Sequence, residues 1–148
     1  MSYYSRKLPT QLIEITMSSA QTASQGDFVL FDTLRATGTH GVTINGATGE
    51  IGLDTTKQYS VRASMHVERS NSTSSYTFAW HDSSGTLITT ADGGYDARFE
   101  DGIYSNSTYV AVYQNLNPVS AIRLKATLLA ASSTILTATK VIIIEVTP

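Results

Sequence analysis

The sequence contains no cysteine, which rules out a disulfide framework and leaves no thiolate ligand for a structural zinc site. The chain must therefore be held by core packing or by assembly with other copies. Charge is also scarce. Asp, Glu, Lys and Arg together make 15% of the residues, the net charge is −2, and Lys and Arg never form a run. Nucleic-acid binding leaves a basic footprint, so no nucleic-acid partner is expected. Long apolar runs are missing too. Residues 141–144 form an apolar stretch far short of the roughly 20 residues a membrane-spanning helix needs, so no membrane partner is expected. No apolar stretch follows the basic pair Arg6-Lys7, which argues against a secretory signal peptide. The expectation is a soluble protein made in a cytoplasm. The glycine patterns of phosphate-binding and dinucleotide-binding loops are absent, as is the Gly-x-Ser-x-Gly nucleophile elbow.

What is present points to strands. The 148 residues are 41% hydrophobic, and the polar surface comes mainly from Ser and Thr. A domain of this size buries roughly 70% of its unfolded surface and can fold alone. Between Gln58 and Glu68 the alternation has no error. Tyr59, Val61, Ala63, Met65 and Val67 share one face, and polar residues fill the other. Only an extended strand has period two, so this run predicts a strand with one buried face in an antiparallel sheet. Similar patterns predict strands over 12–17, 28–31, 109–113, 121–129 and 135–146, and hairpins over 41–53 and 76–90. Residues 18–26, 32–40, 69–75 and 91–107 read as connections, and 129–132 as the best place for a helical turn. Nine or ten short strands at regular spacing predict an all-β, single-domain antiparallel jelly-roll β-sandwich over 10–148, with residues 1–9 as an N-terminal arm.

Chemistry-bearing residues are few. His40, His66 and His81 have no second ligand at metal-site spacing. The acids between Asp92 and Asp101 match calcium's taste for oxygen but not an EF-hand loop, and a solvated loop is the simpler reading. His81-Asp82-Ser83 are neighbours that point different ways along a strand and turn, a poor start for a triad. The sequons at Asn71 and Asn106 read as ordinary loop residues. The expectation is a protein that is not an enzyme, with no catalytic or metal residues and no cofactor. Tyrosine stands out instead, with eight copies. Tyr109 and Tyr113 share one face of a strand whose other face, Val110 and Val112, is also apolar. The stretch 141–144 is likewise apolar on both sides. A sandwich buries one face of each sheet, so the second face is either a subunit interface or covered by a loop. Tyr109, Tyr113, Val141 and Ile143 are the candidate interface residues, and Tyr3 and Tyr4 lie in the arm, where an intramolecular core is not expected.

Several stretches, within 26–148, resemble the C1q/TNF-like jelly roll. They are Phe28-Val29-Leu30-Phe31-Asp32-Thr33, then Ile44-Asn45-Gly46-Ala47-Thr48-Gly49-Glu50-Ile51, then Lys57-Gln58-Tyr59-Ser60-Val61-Arg62-Ala63-Ser64. Lys57 and Gln58 stand where that family usually has a glycine. Phe78-Ala79-Trp80-His81-Asp82-Ser83-Ser84-Gly85-Thr86 is similar to the next strand and turn. Thr139-Lys140-Val141-Ile142-Ile143-Ile144-Glu145-Val146 is similar to the closing strand of versions found in bacteriophage virion proteins. The resemblance implies a homotrimer and no catalytic residues. It further implies a virion structural protein: a trimeric capsid decoration (cement) protein on the capsid surface, made in the host cytoplasm. Its partner would be the major capsid protein or another virion protein, with Tyr3, Tyr4, Arg6 and Lys7 of the arm as the candidate capsid anchor. The alternative is the receptor- or glycan-binding head of a phage fibre or spike.

Overall fold

In a computed structural model of the chain, residues 12–36, 41–68, 76–88, 97–99, 104–113, 120–129 and 133–146 are described, with 97–99, 104–113, 128 and 146 described by backbone alone. The strands in chain order are β1 (Leu12–Thr16), β2 (Gln21–Ala23), β3 (Thr33–Ala36), β4 (Thr43–Asn45), β5 (Glu50–Gly52), β6 (Gln58–Glu68), β7 (Tyr76–Asp82), β8 (Ala97–Phe99), β9 (Tyr104–Tyr113), β10 (Ala121–Leu128), β11 (Ser133–Ile135) and β12 (Lys140–Val146). No helix occurs among the described residues. All pairings are antiparallel and fall into two sheets.

The alternation in β6 decides the larger sheet. Its odd-numbered residues are buried and its even-numbered ones are not. β9 pairs along one edge of β6, and β12 then β11 pair along the other. β1 lies beyond β12, and β3 beyond β1. β2 pairs with β11 in the register that β1 keeps with β12, so Leu12 opposite Ile144 runs on without offset to Gln21 opposite Ile135. β1–β2 and β11–β12 are therefore two strands, each interrupted once, and the twelve segments count as ten strands. The smaller sheet has the order β4-β5-β10-β7-β8. The result is an all-β jelly-roll sandwich.

Between the sheets lies one core. Trp80, Tyr59, Tyr76, Phe31 and Phe78 are its largest fully buried side chains, joined by Ile13, Ile15, Met65, Val141 and Ile143. The hairpin over 41–53 turns at Asn45, whose carbonyl accepts from the Thr48 and Gly49 amides. Gly49 is required there. Its φ is +72°, and a Cβ would sit 2.0 Å from the Val29 carbonyl oxygen.

The sequence reading differs from the fold in four places. Residues 28–31 form no regular strand. Phe28 makes a single bridge to Lys125, on the stretch of β10 edge that short β5 leaves uncovered. The amides of Gly26 and Val29 donate to Ala126 and Leu124, and Ala126 donates back to Asp27. On its far side a side chain replaces the next strand: the Gln21 amide donates to Phe28 O at 2.8 Å and accepts from Leu30 N at 3.0 Å. The supposed connections contain β2, β3, β8 and the start of β9. Asn106 accordingly stands in a strand opposite His66, not in a loop. The last strand is broken at 136–139, where the Leu136 amide donates to His66 O. The arm over 1–9 and the helical turn expected over 129–132, Leu129 apart, lie outside the described residues.

Candidate functional site

The outer face of the larger sheet is built by the parity that builds the core. β1 turns Ile13 and Ile15 inward, so Leu12, Glu14 and Thr16 face out. β12 turns Val141 and Ile143 inward, so Lys140, Ile142 and Ile144 face out. β6 contributes Ser60, Arg62, Ser64 and His66. Pairing aligns these into rows across the sheet: Leu12–Ile144–Ser60, then Glu14–Ile142–Arg62, then Thr16–Lys140–Ser64. Register positions 112, 110 and 108 of β9 extend the rows.

Leu12, Ile142 and Ile144 form an apolar stripe in the middle of this face. Leu12 is 59% exposed, the largest value among exposed bulky apolar side chains of the described residues. To one side is an open depression lined by Ser60, Arg62, Ser64, Lys140, Ile142 and Ile144. To the other is a shallower one with Leu12, Glu14, Leu34, Arg35 and Ala36. No described strand covers the stripe. The charges around it are unneutralised: the ion pair within 4 Å among the described residues is Lys57–Glu145, away from this face.

Of the expected interface residues, Val141 and Ile143 are corrected. Both are 0% exposed and belong to the core, because the pairing sets Val141 opposite core residues Ile15 and Ala63, and Ile143 opposite Ile13 and Val61. The outward apolar pair of that strand is Ile142 and Ile144. Tyr109 and Tyr113 stand opposite Ala63 and Tyr59 in the register, and their side chains lie outside the described residues. Tyr3, Tyr4, Arg6 and Lys7 also lie outside them. The sequence reading missed Leu12, although its parity with Glu14 and Thr16 places it on the polar face.

The smaller sheet's outer face is tied up internally. Arg123 donates from Nε and Nη2 to Thr48 O at 3.1 and 2.8 Å, and its guanidinium lies 3.5 Å over the Phe28 ring. His81 meets that ring edge-on, and its Nδ1 is 3.1 Å from Ala79 O. The Asp82 carboxylate accepts from Ser84 N at 2.9 Å, Ser84 Oγ at 2.6 Å and Thr86 N at 2.9 Å. These bonds, led by the Ser84 hydroxyl, hold its pKa below the usual carboxylate value. His81, Asp82 and Ser83 thus serve a strand and a turn, not a triad. His66 keeps its backbone amide on Thr139 Oγ1 at 2.9 Å. His40 lies outside the described residues, as do the side chains of 92–101. Among the described residues there is no group of three or more His, Cys, Asp or Glu that would hold a metal ion, and no helix long and apolar enough to cross a membrane.

No protein-family model matches the sequence, and no curated protein matches it either. Solved structures do. Crystal structures of murine APRIL at pH 8.5 and pH 8.0 each align with a TM-score of 0.60 at 11% identity, covering 93% of this chain and 99% of that one. The vertex protein P5 of PRD1 aligns with a TM-score of 0.56 at 15% identity, covering 93% of this chain and 98% of that one. At such identities the likeness is one of fold, and the fold of this chain is the TNF/C1q-like jelly roll.

Proposed function

We propose that this chain is a virion structural protein that assembles as a homotrimer through the outer face of its larger sheet and decorates the capsid as a cement protein. The observation that carries it is the stripe of Leu12, Ile142 and Ile144, an apolar patch at the centre of a sheet with no described strand over it. Water-exposed apolar area of that kind marks an interaction surface. The likeness in fold to a vertex protein of PRD1 supports a place on a virion. Residues 1–9, with Tyr3, Tyr4, Arg6 and Lys7, are proposed as the capsid anchor, and the major capsid protein as the partner.

The same likeness favours one further reading, the head of a fibre or spike that binds a receptor or glycan. Light scattering is expected to give about three times the chain mass of 15.9 kDa; a single-chain mass sinks the trimer. Co-sedimentation with purified capsids separates the two readings. A cement protein pellets with capsids. A protein that ignores capsids and binds host surfaces or glycans is a fibre or spike head. Deleting residues 1–9 is expected to release the protein from capsids while leaving a folded trimer, and retained attachment removes the anchor.

A further inference from the structure

The outer face of the larger sheet carries a pattern and its complement side by side. On one flank Leu12 projects from β1 with Glu14 two residues along the same face. On the other, Arg62 and Lys140 border a depression whose wall is Ile142 and Ile144. Within one chain these flanks do not meet. Glu14 and Arg62 share a row but are two strand spacings apart, roughly 9.5 Å, with Ile142 between them. Arg35 stands opposite Glu14 in the register without forming an ion pair within 4 Å. Four charged groups thus surround an apolar stripe, unpaired among the described residues. Burying them in an interface against apolar atoms alone is costly. A partner with the same pattern brings a carboxylate to two of the cations and offsets part of that cost.

We infer that the partner is a second copy of this chain, whose Leu12 enters the depression between β6 and β12 while its Glu14 pairs with Arg62 and Lys140. This rests on the homotrimer proposed above and names the contact that holds it. The projecting leucine meets Ile142 and Ile144, and the carboxylate reaches the two cations at the rim. The contact is head-to-tail: each copy offers its β1 flank to one neighbour and its β6–β12 flank to the other, as closed rings require. Charges placed this way select the pairing register more than they add affinity.

Charge reversal tests it, read by light scattering on the full chain, with thermal unfolding as the check of folding. Glu14→Arg alone is expected to reduce the mass to that of a single chain, and the Arg62→Glu, Lys140→Glu double variant to do the same. All three substitutions together are expected to restore the three-chain mass, because the attraction is reinstated with signs exchanged. A wild-type trimer that Glu14→Arg leaves intact overturns this contact and spares the trimer, as does a triple variant that stays monomeric though folded. A monomeric wild type overturns the trimer itself.

Discussion

Among the described glycines, Gly49 has the least freedom to change. It combines φ of +72° with a carbonyl oxygen 2.0 Å from where a Cβ would lie, whereas Gly85 has φ of +87° and nothing within 4 Å. Gly49→Ala is expected to lower the unfolding free energy by at least about 2 kcal/mol, and Gly85→Ala by about 1 kcal/mol, as urea titration would measure. Equal losses would mean that Val29 yields. Three aspartates respond to acid in a common direction. Ser18 hydrogen bonds to Asp32, Thr56 bonds to Asp54 and Ser84 bonds to Asp82 keep all three carboxyls below their ordinary 3.8. A carboxylate whose pKa is lower in the folded state stabilises that state above its unfolded pKa. The stabilisation is present above about pH 4 and is lost as the pH falls through the lowered values. Replacing Asp82 with Asn is expected to flatten the fall of melting temperature below pH 4; an unchanged slope contradicts the role given to Ser84 and Thr86. The turn at Asp82 was legible because Asp-Ser-Ser-Gly carries its own partners. The stacking of Arg123 on Phe28 was not, since no local pattern joins residues so far apart in sequence.

At the scale of the element, β12 separates two kinds of isoleucine. Ile143→Ala is expected to cost about 2–5 kcal/mol through a core cavity. Ile144→Ser on the outer face is expected to change monomer stability by less than about 1 kcal/mol and instead weaken assembly. Denaturation and light scattering on the same two variants distinguish them, and similar unfolding midpoints would contradict the assigned parity. That parity was hidden in the sequence because 141–144 is apolar throughout, and alternation carries no phase where both phases look alike. Only pairing with β1 and β6 fixes it. β6 was readable from end to end for the opposite reason. β2, β3 and β8 span three or four residues each, too short for any period to emerge. Gln21 explains the missing strand at 28–31, for its amide stands in for a neighbouring backbone. Gln21→Leu is expected to cost about 1 kcal/mol and to speed hydrogen exchange at the Leu30 amide; unchanged exchange there removes the clip.

For the whole molecule, the proposed trimer can be tested without capsids. A trimer's melting temperature rises with protein concentration because association favours the folded state. The wild type is expected to show that rise and Glu14→Arg to lose it; a concentration-independent wild type argues against stable assembly. The fold class was legible from alternation and turn spacing, while the proposed interface was half legible: its strand was found, its phase was not. The position of β12 between β1 and β6 has a consequence for biosynthesis. The first described strand closes against the last, so the larger sheet stays open along two edges until translation has passed residue 146. A nascent chain therefore emerges with β1 and β6 lacking their shared neighbour, and such long-range closure is slow and prone to mispairing. The step most open to mispairing is therefore the entry of a single late strand between two early ones.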